Sequence, residues 1–120
     1  MDKRRALGLL GERKAARFLR RRGLRILTRN WRCALGELDI IALDGDVIVF
    51  VEVRSSSRGY AGGPVYTVGP RKQRKLVTLA QTWLRRHPSK GAPIRFDVIG
   101  MTRRSWWRFD VNWVKNAFEA

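Results

Sequence analysis

From Arg4 to Arg22 the apolar residues Leu7, Leu10, Ala15, Phe18 and Leu19 fall within one arc at about 100° per residue, with arginines filling the rest. That pattern predicts a first helix, closed by Gly23, which is free to take the left-handed cap conformation. The period then drops toward two. Leu24–Trp31 alternates imperfectly and reads as a strand, and Glu37–Leu43 and Val47–Arg54 read as two more. Asp44-Gly45-Asp46 between the latter two is a tight-turn signal that makes them a hairpin. Val47–Val51 is apolar on both faces, which places its strand centrally with a layer packed on each side. Pro70 suits the first position of a second helix, running to about Arg86 with Leu76, Val77, Ala80, Trp83 and Leu84 as its buried stripe. His87, just before Pro88, reads as a C-terminal cap. Ile94–Met101 and Trp106–Val111 read as two returning strands, and Asn112 as the cap of a short closing helix carrying Val114 and Phe118. Adjacent Trp106 and Trp107 would face opposite sides of their strand, leaving one on an outer surface to cover an edge or meet a second copy. The order of elements is that of one α/β domain, 1–120, with a mixed central β-sheet flanked by helices.

The hairpin carries the most specific chemistry. Residues two apart on a strand share a face, so Glu52 and Arg54 stand side by side. If Gly45-Asp46 forms the turn, Asp39 faces Glu52 directly. If Asp44-Gly45 forms it, Asp39 is a diagonal neighbour of Glu52 on the same face. A three-residue turn without a bulge would put the two acids on opposite faces. Two carboxylates crowded in an apolar sheet repel each other, and desolvation penalises both, so a cation belongs between them. That cation is either Arg54 or a divalent metal. Oxygen-only ligands suit hard ions, which points to Mg²⁺ or Mn²⁺ on Asp39 and Glu52. The competing reading makes Glu52–Arg54 an ordinary salt bridge and Asp39 a solvated strand end.

Two flanking segments bear on binding. Residues 55–69 form a Gly/Ser-rich connection, unusually long for a compact domain, and read as a mobile loop that is either functional or plainly disordered. If it closes over a bound strand, Arg58 meets a phosphate and Tyr60 or Tyr66 stacks on a base. Arg71, Lys72, Arg74 and Lys75 crowd the start of the second helix, the wrong end for the helix dipole, which suggests a phosphate partner there.

Charge points the same way. The 120 residues hold 26 Lys+Arg against 10 Asp+Glu, a formal net charge of +16. With 44% hydrophobic residues and five Trp this is a folded domain, not a basic tail. A polyanion is the usual partner that relieves such self-repulsion, and nucleic acid leads. No apolar run approaches a membrane span, and the basic start Met1–Arg5 lacks the apolar stretch of a signal peptide. Cys33 is alone, so an intrachain disulfide and a thiolate metal site are both excluded, and a cytoplasmic setting fits.

Asp39, then strand-turn-strand, then Glu52-Val53-Arg54, resembles the D…(D/E)-x-K signature of the PD-(D/E)XK nuclease superfamily. The wider pattern is similar to the bacterial YraN-type endonuclease-like family. It consists of Gly11-Glu12, Asn30-Trp31-Arg32, Gly36–Asp39, Phe50–Arg54, Lys72-Gln73 and Arg95–Val98. The resemblance implies a restriction-endonuclease-like core and metal-assisted phosphodiester hydrolysis on DNA, branched or single-stranded. It implies a catalytic set of Asp39, Glu52, Arg54 and Gln73, with Glu12 as a third acid on the metal. Gln73 would hold a phosphate or the attacking water, and Lys72 the substrate strand. A resolvase-like activity would further need a homodimer to cut two strands. The chain departs from the pattern at Arg54, where the family usually carries Lys. An arginine keeps its proton and cannot act as a base, though it can orient water or stabilise transition-state charge. A non-catalytic nucleic-acid binder with a decayed site is the alternative. A small ribosome-associated basic protein would explain the charge but not the acids.

Overall fold

A computed structural model describes residues 2–120; Met1 lies outside them. Helix α1 spans Lys3–Arg21 and is capped by the Asp2 side chain, which accepts a hydrogen bond from the Arg4 N–H. Gly23 follows at φ +93°, the left-handed conformation its position predicts. Five strands come next: β1 (Arg25–Cys33), β2 (Gly36–Asp44), β3 (Val47–Ser56), β4 (Ile94–Arg103) and β5 (Phe109–Phe118). Helix α2 (Pro70–Arg86) crosses between β3 and β4. The sheet order is β1-β2-β3-β4-β5, antiparallel except for the parallel β3/β4 pair that the α2 crossover requires. This is an α/β fold with a mixed sheet, compatible with a restriction-endonuclease-like core. None of the described helices is long and apolar enough to cross a membrane.

β3 is the middle strand, as its unbroken apolar run predicts, and a separate core lies on each of its faces. Ile40, Val49, Val51, Ile99 and Met101 meet Ala15, Ala16 and Leu19 of α1. Ile41, Phe50, Phe96 and Val98 meet Leu76, Leu79, Ala80 and Trp83 of α2. His87 closes α2 with its ring stacked on Trp83 and Nδ1 2.9 Å from the Trp83 carbonyl.

Two expectations need correction. The predicted closing helix is strand: residues 112–118 belong to β5, paired with β4 from Arg103↔Phe109 to Phe96↔Phe118. Pairing along β4 overrides the capping signal of Asn112. Val114 and Phe118, four residues apart, share a face in a strand as they would in a helix, and between them a bulge puts Asn116 at φ +51° and shifts the register. Trp106 and Trp107 consequently lie in the β4–β5 turn rather than in a strand, and both are exposed. The long connection also begins later than expected. Ser55 and Ser56 extend β3, and the segment is pinned by a 3₁₀ turn at Pro64–Thr67, where Pro64 and the following Val68 are buried. Pro64 and Tyr60 pack against Gly100 so closely that a Cβ there would lie 2.8 Å from the Pro64 ring and 3.2 Å from that of Tyr60.

Candidate functional site at the fork of β2 and β3

Asp44 pairs with Val47, so Gly45-Asp46 is a two-residue turn, with Gly45 at φ +62°. This register sets Asp39 opposite Glu52. The ladder itself ends one step earlier, at Ile40↔Val51. Beyond that point the strands part: β2 stays with β1 (Trp31↔Leu38), while β3 stays with β4 (Glu52↔Val98 through Ser56↔Thr102). Leu38 and Ile40 pack on opposite faces although they are two residues apart, so the backbone turns over at Asp39. Opposite it on β1 sits Asn30 at φ +53°. The Val53 N–H, lacking a β2 carbonyl, bonds Asp39 Oδ2 at 2.9 Å. The fork therefore holds the two acids together through a side chain where the ladder stops.

Glu52 is 6% exposed, and a single oxygen, Oε2, receives Arg54 Nη2 at 3.2 Å and Lys72 Nζ at 3.5 Å. Asp39 is pushed up to about 9. Burial is the largest cause, followed by repulsion from Glu52 and the hydrogen bond between the two carboxyls, with the Val53 N–H pulling the other way. Burial beside Glu52 thus holds the Asp39 carboxyl toward its protonated form. Glu12 reaches the fork from α1, and its acidity is also weakened, first by burial and then by Glu37, with Arg29 opposing. It does not complete a three-carboxylate set: among the described residues no three His, Cys, Asp or Glu stand close enough to share an ion.

Buried polar atoms without a protein partner gather here. They are Glu12 Oε1, Arg29 Nε, Arg54 Nε, Ser55 Oγ and Tyr60 OH. Such atoms are rare in a settled core, and a water, an ion or a ligand ordinarily satisfies them. Tyr60 is half-buried against Gly100 beside Arg54, and burial pushes its phenol up to about 12. Its ring therefore packs on the protein, whereas Arg58 is exposed in the same loop. Gln73 turns away: its amide donates to the Val68 carbonyl at 2.9 Å, and it faces Arg74 and Glu119 on the far side of α2. Arg71, Arg74 and Lys75 are exposed on the first turns of α2, a helix that starts without a side-chain cap or an acid. Lys72 alone among them turns inward. Sequence reasoning gave Lys72 to substrate and missed its contact with Glu52, and it missed Arg29 entirely. The uncapped cationic start of α2 was a signal for the first; nothing in the alternation of β1 pointed to the second.

The raised pKa of Asp39 has a consequence for stability. A carboxyl whose folded pKa is raised from 3.8 to about 9 favours the folded state fully below 3.8, and that contribution is lost as pH rises through 9. Metal-free protein should therefore lose stability progressively as pH rises from about 4 toward 9. Asp39→Asn keeps the neutral form and can still accept from Val53. Urea denaturation in EDTA should show the variant at least as stable as the parent at pH 8, with a flatter pH profile. A variant clearly weaker at pH 8 would mean that Asp39 is ionised and serves as a counter-charge.

The fork and its surroundings fall inside a stretch shared with known proteins. Residues 11–101 match the model of a family described as "Uncharacterised protein family UPF0102". The span contains every residue that carries the YraN-type likeness. A UPF0102 protein of Anaeromyxobacter dehalogenans is 50% identical over 101 residues, covering 84% of this chain and 75% of its own. One from Stutzerimonas stutzeri is 43% identical over the full length of both chains. A third, from Mycolicibacterium vanbaalenii, is 45% identical over 98 residues, 82% of this chain and 81% of its own. With the family model spanning the fork and relatives aligned from end to end, this chain belongs to the UPF0102 family.

Proposed function

We propose that this protein is a metal-dependent endonuclease of PD-(D/E)XK type that hydrolyses phosphodiester bonds in DNA. The observation that carries the reading is the Asp39–Glu52 pair at the fork, held close enough that one acid keeps its proton. Evolution rarely leaves two repelling carboxyls buried unless a site needs both. The donor set fits Mg²⁺ or Mn²⁺, which commonly take one or two carboxylates and complete their shell with water and phosphate oxygens. Asp39 and Glu52 would hold the ion, and Glu12, with a buried oxygen lacking a protein partner, would act through water. Bound there, the ion would supply Lewis acidity toward a scissile phosphate and lower the pKa of water.

The remaining residues bind and orient. Arg54 offers an unpartnered buried Nε at the fork, suited to a phosphate oxygen or the attacking water. Lys72 balances the charge of Glu52, and the exposed Arg71, Arg74 and Lys75 supply phosphate contacts along α2. Arg58 can add another from the 55–69 loop. Branched DNA as substrate rests on the resemblance alone, and cutting both strands of a junction would need a homodimer. The second reading, a nucleic-acid binder without activity, is favoured by one observation: two fixed cations already occupy Glu52 Oε2.

Cleavage of end-labelled linear, single-stranded and branched DNA, with Mg²⁺ and with EDTA, tests the proposal. The parent should cut at least one substrate only with Mg²⁺, and Glu52→Gln should fall to background while still binding DNA. Tight binding with no cleavage by the parent in Mg²⁺ or Mn²⁺ would leave the binder.

A further inference from the structure

Lys14, Arg17, Phe18 and Arg21 form one stripe along α1, at the spacing that stacks side chains on a single helix face. The stripe faces the β4–β5 turn across a groove of about 320 Å³, whose opposite wall includes Trp107 and Arg108 and whose lining includes Met101. Trp107 is 62% exposed. Its turn is nonetheless braced, with the Arg104 and Ser105 N–H groups bonding the Arg108 carbonyl at 2.9 and 3.3 Å and Arg104 and Arg108 both paired with Asp110. Lys14, Arg17 and Arg21 have no carboxylate partner among the described residues. The groove thus sets a presented indole beside a row of cations that lack carboxylate partners.

We propose that this groove binds the unpaired nucleotides of a single-stranded nucleic acid, with a base stacked on Trp107 and phosphates held by Lys14, Arg17, Arg21 and Arg108. Stacking on aromatic side chains and backbone neutralisation by a cationic groove are the two general means of holding single strands. A duplex satisfies only the second, because its bases are already stacked on one another. A second copy of this chain fits worse: an isologous contact would set the cationic stripe close to its own image. The groove is new relative to the carboxylate fork and lies on the α1 face of the sheet. Met101 pairs with Ser55, three residues beyond Glu52, so the groove begins about 10 Å along β3 at roughly 3.3 Å per residue, on the face of the sheet opposite the Glu52 side chain. If the fork is a nuclease centre, as proposed above, the preferred substrate carries a single-stranded arm reaching this groove. That corollary rests on the nuclease reading; the groove itself does not.

Binding is best measured in EDTA, where no cleavage intervenes, by fluorescence anisotropy of labelled oligo(dT), oligo(rU) and a blunt duplex. Trp107→Ala should weaken binding of at least one of the two single strands by roughly 5- to 100-fold and leave duplex binding unchanged. Arg17→Ala and Arg21→Ala should each lower the salt slope of single-strand binding by about 0.7. Trp107 is exposed, so an unchanged melting temperature will show that the variant is folded. Single-strand affinity indifferent to Trp107→Ala, or an equal loss on duplex, overturns the proposal. So does a dimer in sedimentation that Trp107→Ala dissolves while single-strand affinity stays as it was. A parent that binds single strands through Trp107 yet never cleaves DNA overturns the nuclease reading and leaves the groove standing.

Discussion

Asp97→Ala is expected to destabilise the protein by about 3–5 kcal/mol, the cost of removing one partner from a buried ion pair. Asp97 is fully buried in β4 and accepts four hydrogen bonds. Two come from Arg95, Nε at 2.9 Å and Nη2 at 3.0 Å; the others come from Trp113 Nε1 and the Asn116 N–H, each at 2.9 Å. The last of these fixes the β5 bulge, so the carboxylate joins the sheet edge to its neighbour. Without it Arg95 keeps only Asp44, at 3.0 Å, and the indole and amide donors lose their acceptor. A loss of that size is a large share of the ~5–15 kcal/mol that holds a domain together. Asp97→Asn should also destabilise, because its amide nitrogen would face donors. Urea denaturation of both variants measures the loss. Any DNA cleavage should persist per folded molecule at low temperature, since Asp97 contacts β5 and Arg95 rather than the fork. A change below about 1 kcal/mol for Asp97→Ala would show that the network relaxes without its centre.

Asp97 also shows where sequence reading stops. Arg95–Val98 entered as one piece of a nuclease-like pattern, and nothing local separated a structural acid from a catalytic one. Its partners Trp113 and Asn116 lie on a strand that the sequence presented as helix, because bulge pairing is decided by β4 and leaves no local trace. What the sequence did show was controlled by local physics. Gly45-Asp46 was one of the two two-residue turns consistent with the sequence, and that choice put Asp39 opposite Glu52. The apolar run of Val47–Val51 placed β3 in the middle of the sheet, and Pro70 opened α2 at the predicted residue. The fork was not legible. It arises from competition between β1 and β4 for the two arms of one hairpin, a tertiary effect. Gln73 was misplaced for a similar reason. One helical step separates the face of Lys72 from that of Gln73, and the docking angle of α2 decides which looks toward Glu52.

Arg54 is the position where the fork's chemistry is most exposed to test. Its Nη2 lies 3.2 Å from Glu52 Oε2, its Nε is buried without a partner, and its side chain is 30% exposed. An arginine side chain is no general base, so in an active site it stabilises charge or orients water. Arg54→Lys restores the side chain the resembling family carries and should keep or raise Mg²⁺-dependent cleavage. Arg54→Ala should lower the rate by about 10²–10³, the range for losing one preorganised electrostatic donor. Lys72 remains on the same oxygen of Glu52, so Glu52 keeps a counter-charge in Arg54→Ala and the variant should fold. Any nucleic-acid affinity should change little in either variant, because many other cations would share that task. Rates on linear, single-stranded and branched DNA, with melting temperatures alongside, give a clear division. An inert parent whose Arg54→Lys variant cuts DNA would show that this arginine disables an otherwise competent fork. If parent, Lys and Ala forms are all inert while binding DNA tightly, the Asp39–Glu52 pair is structural. Arg54 and Lys72 would then be the counter-charges of buried Glu52.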